Sequence, residues 1–213
     1  LWSTKNPELY LIKTELYDKN GKVVDSVVQN FGFKSFYFDK NKGFFLNGEH
    51  LEIYGAFQHH DLGAFGSAFD KNALRRQFLK LQEMGINSVR CSHNPPPKAW
   101  MDLADEMGIL IDDEAFDMWE KPKTTFDYGN YFNEWFEKDT VSWVRKDRNH
   151  PCLIMWSIGN EIYDTHVGNG LEITKKLKKI VEHHDPYKNG LDTIGSNYMM
   201  IDGAQNSAQE IDV

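Results

Sequence analysis

Carboxylates, histidines and an arginine recur at one kind of place in this sequence, directly after short apolar runs. Asn149-His150-Pro151 leads into Cys152-Leu153-Ile154-Met155-Trp156-Ser157-Ile158-Gly159, and that run delivers Asn160-Glu161 at its end. Breaking a glycosidic bond takes a carboxylic acid that protonates the departing oxygen and a second carboxylate across the sugar ring, with an oxocarbenium-like transition state between them. Glu161 suits the proton donor. Asn160 suits a hydrogen bond to the sugar's 2-hydroxyl, which strengthens as the transition state forms. An apolar wall with aromatic neighbours is expected around such a carboxyl, because burial keeps an acid protonated near neutral pH.

Asn-Glu alone is a common dipeptide that also serves exposed helix caps, so the other strand ends carry weight. Arg90-Cys91-Ser92-His93-Asn94-Pro95 closes a second apolar run. There an arginine can orient carboxylates and a histidine can reach a sugar hydroxyl, unless Arg90 is a core ion pair and His93 a satisfied interior imidazole. His59-His60-Asp61 and Asp112-Asp113-Glu114 close two more runs. A metal-dependent hydrolase is the rival reading, since His59, His60, Asp61, His93, Asp113 and Glu114 are all potential ligands. Its spacing is wrong: adjacent residues of a strand point to opposite faces, whereas such sites use histidines one residue apart on the first strand. No metal and no cofactor are expected.

The elements that must hold these groups alternate between strand and helix. Ile53 to His59 reads as a strand, followed by a helix that Asp70 can cap, with Leu74, Phe78 and Leu81 on one face and Gly85 at its end. Ile86 to Arg90 begins the next unit, whose helix carries Trp100, Leu103, Ala104 and Met107 and stops at Gly108. Gly108 to Asp112 is a third strand, and a loop through Tyr128 leads to a helix with Phe132, Trp135, Phe136 and Val144. Leu153 to Ile158 is a fourth strand, with Ile173, Leu177, Ile180, Val181 and His184 on the helix after it. Thr193 to Ser196 is a weaker fifth, and Ile211 to Val213 reads as the opening of a sixth. Such alternation implies a parallel sheet with right-handed crossovers. No Gly-x-Gly-x-x-Gly follows the first strand, and polar residues collect after strand upon strand, as in a (β/α)₈ barrel whose site is built from several strand tips. The expected fold is therefore α/β, a partial (β/α)₈ TIM barrel holding slightly more than half the strands. Ahead of it, Tyr10 to Leu16 and Val23 to Val28 flank the turn Asp18-Lys19-Asn20-Gly21. Gly43 to Leu46 and Leu51 to Ile53 flank Asn47-Gly48 in a second hairpin, so roughly the first 40 residues read as the last strands of a β-sandwich.

Composition narrows the partners. At 213 residues, 40% hydrophobic and 14% aromatic, the chain can bury a core, and a net charge of −8 disfavours nucleic acid, whose phosphates are bound by clustered Lys and Arg. Cys91 and Cys152 are too few for a disulfide framework and read as buried thiols. No apolar run is long enough for a membrane span. The chain opens on Leu1-Trp2-Ser3, with neither initiator Met nor signal pattern, and so reads as an internal fragment. The compartment stays open: periplasmic or secreted if a signal peptide precedes it, otherwise cytoplasmic.

Asp147-Arg148-Asn149-His150-Pro151 through Asn160-Glu161 resembles the signature region of glycoside hydrolase family 2. Leu1-Trp2-Ser3 with Asn6-Pro7 and Leu9-Tyr10, Phe31-Gly32-Phe33, Phe45-Leu46-Asn47-Gly48, Gly55 with His59, Val89 to His93 and Asp113-Glu114-Ala115 resemble further landmarks of that family in the same order. Gln58 to Ala64 together with Asp113 to Trp119 is most similar to a β-galactosidase subgroup. The resemblance implies that residues 1–37 end an immunoglobulin-like domain and that residues 38–213 begin a catalytic TIM barrel. It implies a retaining hydrolase of terminal β-D-galactosides acting through a covalent glycosyl-enzyme, with Glu161 as general acid/base and the nucleophilic Glu beyond Val213. Asn160 matches the 2-hydroxyl partner. His59, Arg90 and His93 match the sugar subsite with Asp61 and Asn94 beside them, Arg90 organising the nucleophile, while Asp117 and Trp119 serve the subsite, Trp119 either as a surface on which a sugar stacks or as a buried packing residue. Glu114 reads as a supporting ion pair. Metal-dependent β-galactosidases of the family carry Glu-x-His where this chain has Met118-Trp119-Glu120, so no magnesium is expected there. The implied partner is a β-galactoside oligosaccharide or glycoconjugate. A β-glucuronidase, a β-mannosidase and a non-catalytic carbohydrate-binding or scaffold fragment are the alternatives. A half-barrel exposes strand edges and apolar surface, so the segment alone is expected to be inactive and either poorly stable or self-associating, and a homo-oligomer is compatible with that.

Overall fold

The computed structural model describes residues 1–213. Strands β1 (Tyr10–Tyr17) and β2 (Val23–Phe31) pair antiparallel, Tyr10 opposite Phe31. Their turn forms because the Asp18 carboxylate accepts the Asn20 and Lys22 N–H groups at 2.8 and 2.9 Å while Gly21 takes a φ of 79°. Leu11, Leu16, Val24 and Val28 on this ribbon are exposed.

Strands β3 (Phe36–Asp39), β4 (Gly43–Leu46) and β5 (Glu49–His50) make a three-stranded antiparallel sheet in that order. Asn47 and Gly48 both adopt positive φ, 54° and 84°, the backbone of a two-residue hairpin turn that matches strand twist. That turn puts Glu49 opposite Leu46, so the return strand is Glu49–His50 and not the expected Leu51 to Ile53. β3 was not expected from the sequence, and residue 37 lies inside it. Trp2, fully buried, ties the N-terminal stretch to the next unit by donating from Nε1 to the Asp105 carbonyl at 2.9 Å.

Five parallel strands follow: β6 (Gly55–His59), β7 (Ser88–Ser92), β8 (Leu110–Glu114), β9 (Leu153–Asn160) and β10 (Leu191–Gly195). Each pairs with its predecessor in the chain, with no reversal of order, which is barrel topology and not that of a doubly wound sheet. The fold is a partial (β/α)₈ barrel. Between the strands lie α1 (Lys71–Glu83), α2 (Lys98–Met107), α3 (Phe132–Asp147) and α5 (Gly170–His184), with the short α4 (Asp164–Val167) ahead of α5. Asp70 caps α1 by accepting the Ala73 N–H at 2.7 Å, and Gly108 ends α2 in the left-handed region at φ 70°, as the sequence suggests. β9 is buried along nearly its whole length, as befits a strand covered on both faces. Both cysteines are free and buried.

One more expectation is corrected. Ile211 to Val213 is not a strand; the Asp212 and Val213 N–H groups instead donate to the Asp192 carbonyl at 3.1 and 3.2 Å. Ahead of it lies α6 (Asp202–Ala208), whose buried residues are only Ala204 and Ser207, too little apolar periodicity to read from sequence.

Candidate active site

The tips of β7, β8 and β9 meet around one carboxylate. Glu114, at the end of β8, is 0% exposed, and both its oxygens are taken. Arg90 donates to Oε2 from Nε at 2.9 Å and from Nη2 at 2.7 Å, and Ser157 Oγ donates to the same oxygen at 2.5 Å. His93 Nδ1 donates to Oε1 at 2.6 Å, which assigns the proton to Nδ1 and leaves Nε2 for another partner. A buried carboxylate with this many charge-assisted donors is stable only as a complete set, since loss of one partner strands a charge away from water. Beside it, burial and then the charge of Glu114 push the Asp112 carboxyl up to about 7.

Arg90 also reaches the next strand, donating from Nη2 to Asn160 Oδ1 at 2.8 Å. Asn160 Nδ2 in turn donates to Asp117 Oδ1 at 2.8 Å. Lys123, from the loop after β8, donates to Asp117 Oδ1 at 2.7 Å and to the Asn160 carbonyl at 2.9 Å. Burial tends to raise the Asp117 carboxyl, but the Lys123 and Asn160 bonds outweigh it and hold it below the usual carboxylate range. His93, Glu114, Arg90, Asn160, Asp117 and Lys123 thus form one continuous polar network. The backbone beside it is strained at two points: Phe116 and Glu161 take φ of 71° and 47°, and the N–H of Asn160, the residue before Glu161, donates to the Phe116 carbonyl at 3.1 Å. The Glu161 N–H donates to the Gly195 carbonyl at 2.7 Å, linking the site to β10.

The residues singled out from sequence do not all arrive together. His59 stands at the end of β6 with its ring 5.0 Å from that of His93. Asp61 is spent on its own loop, accepting the Gly63 N–H at 2.8 Å. Asn94 and Asp117 line a cavity of about 470 Å³ with Phe116, Tyr128, Trp143 and Lys146. Of the two readings of Trp119 the sugar platform is corrected and the packing one holds: it is 0% exposed and donates from Nε1 to the Ile158 carbonyl at 2.9 Å, so it offers no face to a sugar. Glu161 itself is exposed in this chain. Glu114 is the supporting ion pair it was read as. Lys123 and Ser157 were missed. Ser157 had a signal, as the one hydroxyl within the β9 apolar run; Lys123 lies in a loop among other lysines, where no pattern marks it.

The metal-hydrolase ligand set does not converge. His60 turns from His59 and stacks on Trp100 at 5.6 Å. The side chains whose ligand atoms gather within 4.8 Å are Asp105, His150 and Cys152 in one group and Glu182, Asp192 and Asp212 in another, and neither group includes any of the six candidates.

Residues 39–189 match the family described as glycosyl hydrolases family 2, TIM barrel domain, and residues 1–34 match glycosyl hydrolases family 2. The chain belongs to glycoside hydrolase family 2. A family 2 structure from Bacteroides cellulosilyticus superposes with a TM-score of 0.94 at 36% identity, over 100% of this chain and 27% of that one. Among curated relatives, the β-galactosidase BoGH2A of Bacteroides ovatus is 46% identical over 77% of this chain, and a putative β-glucuronidase of Formosa agariphila is 42% identical over 76%. The chain spans only 19% and 16% of those two proteins' lengths. Both matched families are described as glycosyl hydrolases, enzymes that break glycosyl bonds.

Proposed function

We propose that the protein containing this chain hydrolyses terminal β-D-galactosides with retention of configuration. Residues 1–37 close a sandwich domain and residues 38–213 open the catalytic barrel. Glu161 protonates the glycosidic oxygen while a glutamate outside this chain attacks the anomeric carbon. Glu161, then a base, takes a proton from the water that hydrolyses the glycosyl-enzyme. Asn160 meets the 2-hydroxyl with the hydrogen-bonding capacity its bonds to Arg90 and Asp117 leave, and His59, His93 and Asn94 border the sugar. Arg90, held by Glu114, presents its remaining N–H groups toward the nucleophile's side. The observation that carries this reading is the 2.8 Å bond from Arg90 to Asn160, which joins the tip bearing Glu161 to the rest of the polar cluster.

Two things favour a neutral sugar over a uronate. The relative that is 46% identical is a β-galactosidase. The cations of this cluster are also already matched by carboxylates, Arg90 by Glu114 and Lys123 by Asp117, each at 2.7 Å. A uronate's carboxylate is best met by an unspent cation.

The test uses the full-length enzyme with nitrophenyl β-galactoside, β-glucuronide and β-mannoside. The galactoside is expected to turn over fastest, and Glu161→Ala to lose about 10²–10⁴-fold, the usual worth of a general acid, on substrates with poor leaving groups. Fastest turnover of the glucuronide would overturn the sugar assignment alone. Full activity in Glu161→Ala would remove that side chain from the mechanism.

A further inference from the structure

The peptide group between Asn160 and Glu161 is held at both of its polar atoms. Its carbonyl, on Asn160, accepts from Lys123 Nζ at 2.9 Å, and its N–H, on Glu161, donates to the Gly195 carbonyl at 2.7 Å. One partner comes from the loop after β8 and the other from the tip of β10, so the group is gripped from two sides of the strand that carries it. The grip matters because Glu161 sits at a φ of 47°, a region that a residue with a Cβ leaves readily when nothing opposes it. Rotating that one peptide plane by half a turn would bring φ to roughly −130°, in the broad β region. The rotation would break both bonds and turn the carbonyl away from the ammonium.

Lys123 is built to resist this. Its backbone N–H donates to Asp127 Oδ2 at 2.7 Å, as does that of Thr124 at 2.7 Å, while Asp127 Oδ1 accepts the Gly129 N–H at 2.9 Å. The loop is therefore pinned by one carboxylate before the lysine side chain leaves it. The side chain is only 16% exposed, and its charge is matched by Asp117 at 2.7 Å, which in turn holds the Asn160 amide at 2.8 Å. The ammonium thus reaches Asn160 by two routes, directly at the carbonyl and through Asp117 at the side chain.

We infer that Lys123 is a positioning residue for the acid/base step: its ammonium locks the strained Asn160–Glu161 peptide and so keeps the Glu161 carboxyl at a fixed distance from the glycosidic oxygen. The inference rests on the reading of Glu161 as proton donor. It touches neither the sugar nor the reacting bond. Loss of the lock leaves the fold and substrate binding in place and degrades proton delivery, which matters most when the leaving group is a poor one.

The experiment compares, in the full-length enzyme, an alkyl glycoside and a dinitrophenyl glycoside of whichever sugar it turns over fastest. Lys123→Met is expected to lower kcat/KM, which reports the glycosylation step alone, about 10²-fold on the alkyl glycoside, the scale of a misplacement near 1 Å, and less than about threefold on the dinitrophenyl glycoside. KM on the alkyl glycoside, where glycosylation limits, should hardly move. Lys123→Arg, which keeps both charge and donors, should return to within about fivefold of the parent on the alkyl substrate. Lys123→Gln, too short to reach both acceptors, reads the same ratio if the Met variant does not fold. An equal fall in kcat/KM on both substrates, or no fall, would overturn the inference. Glu161→Ala run beside it separates the two claims. If that variant shows the leaving-group-selective loss and Lys123→Met does not, the lock alone is wrong; if neither shows it, the assignment of Glu161 has failed first.

Discussion

Replacing Gly195 with alanine tests whether the Arg90 fork is built as described. Gly195 does not need its glycine for backbone reasons, since its φ lies outside the left-handed region. Its hydrogen is needed for space: a Cβ there would lie 2.4 Å from Arg90 Nη2 and 3.2 Å from Cζ. Ordinary contact requires about 3.5 Å, so the guanidinium must retreat by roughly 1 Å. The Nη2 bond to Asn160 stands at 2.8 Å, and such a retreat carries it beyond hydrogen-bonding range, while the Nη2 bond to Glu114 at 2.7 Å is stretched and the Nε bond at 2.9 Å survives. Bonds to charged groups contribute about 1.5–3 kcal/mol each, so Gly195→Ala should cost about 2–4 kcal/mol. The denaturation midpoint of the full-length enzyme, converted through its measured m-value, gives the loss. Arg90→Met supplies the control through a double-mutant cycle, because without a guanidinium to displace the alanine should cost less than about 1 kcal/mol. Equal losses in both backgrounds, or an unchanged midpoint in Gly195→Ala, would refute the reasoning.

Other consequences can be checked with single variants. Trp119→Phe removes a buried indole and its bond to the Ile158 carbonyl, so it should lower the denaturation midpoint by an amount equivalent to about 1–3 kcal/mol and leave KM unchanged; a raised KM with unchanged stability would return Trp119 to the sugar. Asp192 is 2% exposed, and burial, then the charge of Asp212, pushes its carboxyl from 3.8 up to about 7. The folded state therefore holds that proton more tightly than the unfolded chain, and the stability it contributes is complete below pH 4 and lost as pH rises through about 7. Asp192→Asn should flatten the fall in midpoint between about pH 4 and pH 7; an identical profile would contradict the burial of an acid there.

Much of this architecture was legible because single residues dictate local geometry. Asp18 and Gly21 specify a turn, Asp70 a helix start and Gly108 a helix end, and each acts through bonds or backbone freedom that do not depend on the rest of the fold. The polar residues after successive apolar runs marked the strand tips for the same reason. What escaped was decided by tertiary contact. β3 and α6 carry little periodicity of their own, and they form because Phe38 meets Phe44 and because Ala204 finds a buried site. Trp119 looked like a sugar platform because its neighbours belong to the site; only packing shows that its ring is enclosed and its N–H taken. Lys123 could not be told from the other lysines until the loop placed it against Asp117 and Asn160.

In the proposed mechanism Glu161 gives and takes the proton, and the product formed from nitrophenyl β-galactoside by the full-length Glu161→Ala enzyme in azide tests that role. With the carboxylate gone, azide has room to attack the glycosyl-enzyme on the face it vacates, displacing the enzyme's nucleophile, so β-galactosyl azide should accumulate as turnover recovers. Galactose released at the parent rate, with no azide adduct, would contradict the assignment.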